Sequence, residues 1–597
     1  MLFNSLTLLA FPSLSLCANW KSIEDVPKIS WDFIIVGGGT AGSVLANRLT
    51  ENPKFNVLVI EAGPTNEGVI ESMCPGLQPK LALTRYDWNF TTVPIPGYNN
   101  RSIGYQRGHL LGGSSSVNGL VFTRGAASDY DRWARVTGDA GWSWDNLQLY
   151  RERQEKFQLP ADNHNITGQY NPTVHSPNGM VPTSISAPQH PTADQITLKV
   201  TQELSKEFKF NLDFNSGMPL GLGWLQSTVG HDGSRSSAAT SYLTPQVQFR
   251  ENLHILTDTL VTRVLQTSKD LSADSHNLTI RTIEITSRDN SSDKVLMTAS
   301  KEVILSGGSI GSPHILLSSG IGDQNDLEKL GIPVVLHNPS VGRNLTDHPA
   351  VTSVTFGLKP GFLDMGPWAN LPSDPNLQQQ ALALWKKNRT GPYTALVISD
   401  HISWTRIPDD SPIFKMFPDT SSGPTAAHIE MVIGASNSTT WEIRLRLVSP
   451  ASRGSTSLNS SNPLDAPLIN PNFLSHPFDA LAMIEAFRTA QRFISSPVLK
   501  DSITGVLGPY TNATTDAEIE NAIRAHAATV WHPIGTASMS PKGASWGVVD
   551  PDLRVKSVDG LRVVDASIMP YIPCAHPQAA VYFIAERAAD LVKEAWR

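Results

Sequence analysis

The chain has 597 residues and a formal net charge of −7, because 47 Lys and Arg oppose 54 Asp and Glu. With 40% hydrophobic and 17% charged residues, the composition excludes a disordered chain, which needs low hydrophobicity and high charge. A pI near 6.1 without a basic block argues against nucleic acid as a partner, and three cysteines are too few for a disulfide-built scaffold. At about 150 residues per domain, the length predicts two to four domains.

The first 17 residues predict a secretory signal peptide. They form a short stretch rich in Leu and Phe that is too short to span a bilayer, although they lack the usual Lys or Arg. We expect cleavage near Cys17 or Ala18. A disordered or docked N-terminal tail is the alternative.

Ten Asn-x-Ser/Thr acceptor sequences also favour export, because N-glycosylation belongs to the secretory pathway. Together with the leader they predict a glycoprotein that is secreted, or delivered to the cell wall or a vacuole, with no membrane-spanning segment. If Cys17 leaves with the signal, Cys74 and Cys574 remain, and they could pair or stay free. The acceptor asparagines are Asn89, Asn100, Asn165, Asn277, Asn290, Asn344, Asn388, Asn437, Asn459 and Asn512.

A G-x-G-x-x-G motif follows the first predicted strand. The apolar run DFIIV at 32–36 is typical of a buried strand, SVLANRL after the motif has helical spacing, and a second strand, NVLVI, leads to Glu61. The motif residues are Gly37, Gly39, Thr40, Ala41 and Gly42.

Each part of this unit has a physical role in binding a dinucleotide. Gly37 makes a tight turn, Gly39 lets the backbone approach a pyrophosphate, and Gly42 lets helix and strand pack closely. The helix N-terminus offers unsatisfied N–H groups to the phosphates, and Glu61 would accept hydrogen bonds from ribose hydroxyls. We therefore predict a dinucleotide site rather than an ordinary glycine turn, but the motif does not choose between NAD and FAD.

Two later segments rich in Gly and Ser suit the same site. RGHLLGGSSSVNG at 107–119 has small side chains and many N–H and hydroxyl groups, as a loop lying against a cofactor requires; a surface linker is the alternative. KEVILSGGSIGSP at 301–313 repeats the order of strand, glycine turn and helix, with Pro313 near the helix start. It predicts a later strand of the same parallel sheet, and a purely structural crossover is as favoured as direct cofactor contact.

Two histidines near the C-terminus are candidate catalytic residues. His532 and His576 both precede a proline in apolar surroundings, and Asp565 ends the predicted strand LRVV before an amphipathic helix that opens at His576-Pro577-Gln578. An alcohol that loses a hydride must also lose its hydroxyl proton, and a histidine of near-neutral pKa can accept that proton. The sequence has no HExxH motif, CxxC pair or carboxylate cluster, so we predict no metal site.

In this order, these segments resemble the glucose–methanol–choline (GMC) oxidoreductases, a flavoprotein family, from about Asp32 to the C-terminus. Within the family the chain looks most like fungal aryl-alcohol oxidases and their pyranose dehydrogenase relatives, through DYDRWARVTGDAGWSWDNL, GRNLTDHP and RTGPYTALV. The motifs that carry the family resemblance are DFIIVGGGTAGSVLANRL, RGHLLGGSSSVNG, GGSIGSPHILLSSGIG, WHPIGTASMSPKGASWGVVDP and HPQAAV.

The resemblance implies an α/β fold in which a Rossmann-like FAD-binding domain is interleaved with a substrate-binding domain of antiparallel sheet and helices. We assign residues 28–125, 228–345 and 541–597 to the FAD-binding domain. Residues 126–227 and 346–540 form the substrate-binding domain, after a signal peptide at 1–17. We expect a monomer.

The resemblance also assigns roles around FAD. Asn118 and the loop backbone lie along the flavin, the Val261 backbone meets the adenine, and Gln578 meets the pyrimidine edge of the flavin. Asp565 and Ala566 face the pyrophosphate and ribityl chain. The predicted cofactor-binding residues are Gly37, Gly39, Thr40, Ala41, Gly42, Glu61, Gly113, Ser114, Asn118, Gly119, Val261, Asp565, Ala566 and Gln578.

By the same resemblance, His532 is the general base and His576 hydrogen-bonds the substrate hydroxyl. Pyranose dehydrogenases can tether the flavin through a histidine in the GGSSSVN-like loop, but that position is Val117 here, so we expect non-covalent FAD. His109 is close in sequence but off that position. The stretch IEMVIGASNSTTWEIRLRL is shorter than the aromatic lid segment of aryl-alcohol oxidases, which predicts a wider pocket.

Two aromatic residues, Tyr98 and Trp531, are predicted walls of the substrate pocket. For Trp531, core packing is the alternative. Trp441 is a weaker candidate for the same role.

The sequence thus predicts a secreted FAD-dependent oxidoreductase that converts primary aryl, furanic or allylic alcohols to aldehydes. Hydride passes to flavin N5, and O2 is reduced to H2O2. Two alternatives stay open: a quinone-dependent sugar or alcohol dehydrogenase, and a non-redox lyase or cyclase that keeps FAD only structurally. A binding role without catalysis is least favoured, because both histidine positions are intact.

Overall fold

The structure is a computed structural model that describes residues 19–186, 190–267, 278–287, 294–395 and 400–597. The predicted signal peptide and the acceptor asparagines Asn277 and Asn290 lie outside the described residues.

The strands and helices are numbered in chain order. The strands are β1 (Asn19–Trp20), β2 (Trp31–Val36), β3 (Val57–Ile60), β4 (Glu155–Phe157), β5 (Val181–Ile185), β6 (Gly221–Trp224), β7 (Gln226–Ser227), β8 (Leu253–Leu256), β9 (Thr259–Gln266), β10 (Leu278–Ser287), β11 (Lys294–Leu305), β12 (Ile321–Gly322), β13 (Leu336–His337), β14 (Arg343–Leu345), β15 (Pro349–Leu358), β16 (His401–Thr405), β17 (Ile429–Asn437), β18 (Thr440–Leu447), β19 (Gly454–Ser457), β20 (Leu468–Asn470), β21 (Ile503–Leu507), β22 (Ala528–Thr529), β23 (Val558–Asp559) and β24 (Leu561–Val563). The helices are α1 (Thr40–Leu49), α2 (Ile70–Met73), α3 (Ala127–Thr137), α4 (Trp144–Gln154), α5 (Pro191–Glu203), α6 (Ala238–Tyr242), α7 (Pro245–Gln248), α8 (Gly308–Ser318), α9 (Gln324–Lys329), α10 (Pro375–Asn388), α11 (Ile413–Met416), α12 (Pro477–Ile494), α13 (Pro497–Lys500), α14 (Asp516–His526) and α15 (Gln578–Ala595).

The first sheet has nine strands, in the order β1-β8-β3-β2-β11-β10-β23, with β24 also on β11 and β9 also on β10. β8, β3, β2 and β11 run parallel to one another, and β24 runs parallel to β11. The run Val-Leu-Val-Ile of β3 is buried at every position, as is typical of parallel strands covered on both faces. The predicted strands DFIIV, NVLVI, VILS and LRVV all belong to this sheet, which confirms the Rossmann-like α/β part of the fold.

The second sheet has seven strands, in the order β21-β15-β18-β17-β16-β6, with β22 also on β15, and all its pairs are antiparallel. Trp441, Ile443 and Leu445 of β18 share a hydrophobic core with Phe487 and Met483 of α12. Because side chains alternate along a strand, Glu442, Arg444 and Arg446 point away from α12. We call this opposite side of the sheet the inner face.

The strands of the two sheets come from different predicted segments. Apart from β1, the first sheet draws its strands from 28–125, 228–345 and 541–597, and the second draws its strands from 126–227 and 346–540. One short sheet joins the two groups, because β14 pairs with β19, which pairs with β20. The domain boundaries themselves stay predictions.

Surface features bear on the export prediction. Among the described residues, none of the helices has the length and apolar character needed to cross a membrane. Cys74 and Cys574 are both buried and do not form a disulfide with each other, so the structure favours free thiols. Asn344 and Asn437 are half-buried, and the other described acceptor asparagines are exposed: Asn89, Asn100, Asn165, Asn388, Asn459 and Asn512.

A cluster of buried charged side chains connects distant segments of the chain that precede β6. Arg124 pairs with Glu155 Oε2, and Glu155 Oε1 lies 3.0 Å from His175 Nδ1. His175 Nε2 lies 2.7 Å from Asp213 Oδ2. Because both ring nitrogens of His175 face carboxylates, the ring fits best with a proton on each nitrogen. Every side chain of the cluster is at most 2% exposed, so these charges depend on one another for compensation.

This cluster predicts a window of pH in which it stabilises the fold most. Burial raises the pKa of Glu155, but Arg124 and His175 outweigh burial and lower it from 4.5 to about 2. Burial lowers the pKa of His175, but Glu155 and Asp213 raise it above 6.5. The Glu155 contribution is therefore present above pH 4.5 and lost as the pH falls towards 2, whereas the His175 contribution is present below pH 6.5 and lost as the pH rises through its folded pKa.

We therefore expect the cluster to stabilise most between pH 4.5 and 6.5. Urea midpoints of the wild type and of His175→Gln, measured across pH, would differ most in that window. A stability difference that does not change with pH would contradict the prediction.

Candidate active site

A cavity of about 370 Å³ lies at the carboxyl ends of β2, β3 and β11, against the N-terminus of α1. Gly37 turns the chain with φ +99°, and a Cβ there would lie 2.5 Å from the carbonyl oxygen of Ser306. A Cβ on Gly42 would lie 1.9 Å from the Gly37 oxygen, so helix and strand could not pack. At Gly39 the nearest atom to an added Cβ is 3.7 Å away, which leaves the backbone open to a ligand.

Glu61 is held as an acceptor at the wall of this cavity. Its Oε2 accepts a hydrogen bond from the Gly38 N–H at 2.8 Å, and its Oε1 accepts one from the Gly63 N–H at 2.8 Å. Burial raises its pKa to about 7, although the backbone N–H groups oppose that shift. The open backbone at Gly39, the helix N-terminus without a side-chain cap and this carboxylate together fit the ADP part of a dinucleotide.

Replacing Glu61 with Gln tests this fit. The amide would turn an NH2 group towards the N–H of Gly38 or Gly63, and it would offer one acceptor fewer to the ribose. We expect FAD to bind about 10- to 100-fold more weakly, measured by quenching of flavin fluorescence during titration of the apoprotein. Glu67→Gln, at an exposed position six residues on, is the control that should leave affinity unchanged.

Most of the predicted cofactor residues line the cavity. Gly42, Asn118, Gly119 and Gln578 do not border it, and neither do Val117 and His109, the two positions considered for a covalent link. Those that do are Gly37, Gly39, Thr40, Ala41, Glu61, Gly113, Ser114, Val261, Asp565 and Ala566.

Asp565 joins the second glycine turn to the cavity. Its Oδ2 accepts hydrogen bonds from the Gly308 N–H at 2.9 Å and the Ser312 hydroxyl at 2.6 Å, while Oδ1 accepts from the Ser567 N–H at 2.8 Å. Residues 306–311 themselves line the cavity. Two interpretations of this turn were possible from the sequence. The structure favours a place in the cofactor site over a purely structural crossover.

Asn118 and Gln578 bond to each other beside the cavity. The Asn118 amide donates to Gln578 Oε1 at 2.9 Å, and Arg235 donates to Asn118 Oδ1 at 2.7 Å. The Gln578 amide in turn donates to the Tyr582 hydroxyl at 3.3 Å. These hydrogen bonds link the 107–119 loop to the start of α15. Both segments were predicted to meet the flavin.

Three parts of the cavity wall were not predicted from the sequence. Trp88 and Phe90 stack with ring centroids 5.5 Å apart and line the cavity, as does the segment 463–467. The segment is held by His314 Nε2, which lies 3.1 Å from the Pro463 carbonyl oxygen. The sequence carries no signal for this segment, since it lies far from every glycine motif and belongs to a range predicted for the substrate domain.

The structure brings the two predicted catalytic histidines together. The ring centroids of His532 and His576 are 4.6 Å apart, at an angle of 66°. His532 is 9% exposed, and the next residue, Pro533, lines the cofactor cavity. Burial lowers the pKa of His532 well below 6.5, and the nearby His576, His348, Arg446 and Arg107 lower it further. The ring of His532 is therefore neutral and lies next to a residue that lines the cavity.

His576 is oriented by a buried ion pair on the inner face. Its Nε2 lies 3.0 Å from Glu430 Oε1, and Arg446 Nη1 lies 2.7 Å from the same oxygen. Burial raises the pKa of Glu430, but Arg446 and His576 outweigh burial and lower it to about 2. Because Glu430 is ionised, Nε2 of His576 donates a hydrogen bond to it. Neither Glu430 nor Arg446 was predicted from the sequence.

A third histidine, His348, also contacts His532. Their Nδ1 atoms are 3.0 Å apart, and both rings are buried. The preceding residue, Asp347, accepts hydrogen bonds at Oδ1 from the backbone N–H of His348 at 2.7 Å and of His532 at 2.8 Å. Its Oδ2 accepts from the hydroxyls of Tyr105 at 2.7 Å and Thr529 at 2.6 Å. The segment GRNLTDHP that contains both residues contributed only to the resemblance.

The predicted aromatic walls lie in different environments. Tyr98 is in the hydrophobic core, 0% exposed, with its ring stacked on Phe473 and its hydroxyl donating to the Ala528 carbonyl at 2.8 Å. Trp441 is also in that core and 0% exposed. In contrast, Trp531 is 41% exposed, so core packing does not describe it. Only Trp531 of the three offers a ring surface to a ligand.

The segment predicted to be a short lid is a tight hairpin. β17 and β18 pair through Asn437 and Thr440, so only Ser438 and Thr439 form the turn. No aromatic residue lies in that turn. Among the described residues, there is no group of three or more His, Cys, Asp or Glu that could hold a metal ion.

Two family models described as GMC oxidoreductase match residues 31–350 and 450–585. Pyranose dehydrogenase 3 of Leucoagaricus meleagris is 38% identical over 613 residues, which cover 99% of this chain and 98% of the relative. Dehydrogenase eriK of Hericium erinaceus is 38% identical, over 96% of each protein.

Similar solved structures agree with these relatives. An FAD-dependent oxidoreductase from Chaetomium thermophilum has a TM-score of 0.84 and 28% identity, covering 95% of this chain and 100% of that one. A fungal aryl-alcohol oxidase has a TM-score of 0.81 and 26% identity, covering 96% of this chain and 100% of that one.

Proposed function

The chain belongs to the GMC oxidoreductase family, FAD-dependent enzymes acting on CH–OH donors, and from that premise we propose that His532 is its general base. The Gly37–Gly42 turn, Glu61 and Asp565 would hold FAD, which would supply the acceptor for the hydride. The observation that carries the proposal is the contact of buried His532 with half-buried His576 beside the cofactor cavity.

His532 has one nitrogen available for the substrate. Because its Nδ1 faces His348 at 3.0 Å, Nε2 is the atom that would take the hydroxyl proton. His576 presents Nδ1 to the same hydroxyl, since its Nε2 donates to Glu430. Arg446 balances the charge of Glu430, so the imidazolium that forms at His532 does not face an unpaired carboxylate. The two rings would hold the hydroxyl and remove its proton without covalent catalysis.

We propose a hydroxyl-rich substrate such as a sugar as the first candidate. The inner face carries Arg446, Arg444 and Glu442 in succession, and Arg444 pairs with Glu442 at 2.8 Å. These groups offer donors and acceptors to several hydroxyls, and the two-residue turn between β17 and β18 adds no aromatic lid above them. The pyranose dehydrogenases among the relatives support this substrate class.

Primary aryl, furanic or allylic alcohols are the second candidate. The exposed ring of Trp531, the residue before His532 in the chain, favours them, since it offers an aromatic surface to a ligand. The aryl-alcohol oxidase among the similar structures supports the same candidate. A quinone would be the electron acceptor in the first case and O2 in the second, with H2O2 as product.

An anaerobic bleaching screen tests the function and separates these candidates. The enzyme would be mixed with aryl, furanic, allylic and sugar alcohols. The loss of absorbance in the flavin band at about 450 nm would then be followed. Bleaching by sugars with reoxidation by benzoquinone supports the first candidate, and bleaching by aryl alcohols with reoxidation by O2 supports the second. Substrate turnover without any bleaching would instead favour the lyase or cyclase alternative, and a purified protein without flavin would contradict the proposal.

We also propose that FAD is bound non-covalently and that the enzyme is secreted as a glycosylated monomer. Val117 in place of a histidine supports non-covalent FAD, and the exposed acceptor asparagines support glycosylation. Acid precipitation should release all flavin to the supernatant. Endoglycosidase treatment of protein from the culture medium should lower its mass, and size-exclusion chromatography should give one chain per particle.

A further inference from the structure

The contact between His348 and His532 fixes where the protons of both rings lie. Their Nδ1 atoms are 3.0 Å apart, and both residues are at most 9% exposed. Two imidazole nitrogens can share a hydrogen bond only if one carries a proton and the other does not. The contact therefore couples the tautomer of one ring to that of the other.

The role proposed for His532 requires its own ring to be the donor in this contact. Burial lowers the pKa of His348 to about 3, so its ring is neutral. If His348 Nδ1 carried the proton, Nδ1 of His532 would be the acceptor and Nε2 of a neutral His532 would hold its only proton. His532 could then not take a proton from a substrate at Nε2. The productive arrangement is the reverse, with Nδ1–H on His532 and an unprotonated Nδ1 on His348.

We propose that His348 is the positioning residue that selects the tautomer of His532 by accepting a hydrogen bond from its Nδ1–H, which leaves Nε2 free for the substrate hydroxyl. The inference rests on the proposed role of His532 as base. No covalent step is involved, and His348 acts only through His532.

Asp347 fixes the backbones of the two histidines relative to each other. A single oxygen of Asp347 accepts the backbone N–H groups of both histidines, at 2.7 and 2.8 Å. The other oxygen is fixed by the hydroxyls of Tyr105 and Thr529. The two histidine backbones are therefore held at one anchor, and the contact between the rings does not depend on a bound substrate.

Because His348 is a neutral acceptor, it does not raise the pKa of His532 as a carboxylate would. The charged and titratable groups around His532 are His576, Arg446, Arg107, Glu430 behind His576, and Asp347 at its backbone. A carboxylate next to Nδ1 would direct the tautomer but would also raise the pKa of His532 by its charge. His348 directs the tautomer without that charge, so His532 stays unprotonated and remains a base in acidic media.

Three variants at His348 test the proposal. Asn places its Oδ1 near the Nδ1 position of the histidine, Gln extends its amide further along the ring, and Leu has no acceptor. Flavin reduction should be about 10- to 100-fold slower in His348→Leu and His348→Gln, whereas His348→Asn should stay within about threefold of the wild type.

A double variant separates positioning from an independent effect. Because His348 acts through His532, adding His348→Leu to His532→Ala should slow reduction no further. A double variant slower by the full factor of His348→Leu would overturn the inference. Equal rates for the Asn and Gln variants would overturn it too, and this comparison stands even if His348→Leu does not fold.

The rate of His532→Ala tests the proposed function independently of the role of His348. If His532→Ala reduces its flavin at the wild-type rate, the role of His532 as base fails. If His532→Ala is slow but the His348 variants are all fast, only the positioning role fails. Flavin absorbance per protein and the thermal midpoint of each variant show whether it is folded and loaded.

Discussion

His532→Ala should keep its FAD but reduce it about a thousandfold more slowly than the wild type, since a positioned base contributes about 10²- to 10⁴-fold. The substitution removes the buried nitrogen that would take the hydroxyl proton beside the cofactor cavity. The cavity-lining residues themselves stay in place, so the flavin should still bind. The measurement is stopped-flow bleaching under anaerobic conditions with saturating substrate.

His526→Ala is the matched control for this experiment. His526 ends α14, is exposed, and has no contact with the paired histidines. Its substitution should leave the bleaching rate unchanged. A His532→Ala enzyme within about tenfold of the wild type would contradict the role of His532 as base, because that loss is below the range for a general base.

Arg124→Met should lower the free energy of unfolding by about 3–5 kcal/mol, as is usual when one partner of a buried ion pair is removed. Glu155 and Arg124 are both 0% exposed, so the variant leaves a carboxylate with only His175 to compensate it. Arg124 also donates to the carbonyl oxygens of Val174 and Asn215, each at 2.9 Å, and these acceptors would lose their partner. The urea midpoint of the holoenzyme measures the change.

A surface pair provides the control for this variant. Arg554 lies 3.0 Å from Asp552, with both side chains about two-fifths exposed. Arg554→Met should change the free energy of unfolding by less than about 1 kcal/mol, because water already screens this pair. Similar losses for Arg124→Met and Arg554→Met would show that burial does not set the strength of the first pair.

The cofactor half of the molecule was predictable from local sequence. The glycine turn at Gly37, its flanking strands and Glu61 lie within 30 residues of one another in sequence. Each of them has a geometric requirement that only a few residue types meet. Asp565 and the turn at 307–311 follow the same logic of an apolar strand followed by a small-residue turn. These elements converge where the parallel strands end.

The inner face was not predictable for a physical reason. In the run TWEIRLRL of β18, apolar and charged residues alternate, and that pattern normally indicates a strand with one face in water. Here Arg446 on the charged side of the strand is buried, where it compensates Glu430, and Glu430 orients His576. Burial of a charged face depends on what packs against it, and that partner comes from residues far away in the chain.

Residue type also failed to separate core from pocket among the aromatic residues. Tyr98 and Trp531 both lie in apolar segments, yet the first is stacked in the core and the second is exposed. An aromatic ring is suited to either place, so only the path of the chain decides. His348 was overlooked for a similar reason, because its contact with His532 joins positions that the sequence gives no reason to pair.

The position of β11 between β2 and β24 governs the order in which the enzyme can be made. β2 leaves the ribosome among the first elements, whereas β24 and Asp565 are among the last. A nascent chain can therefore complete the glycine turn early, but it cannot close the floor of the cavity until almost every residue has been synthesised. We therefore expect FAD to bind after translation, and a chain truncated before β24 to retain FAD poorly.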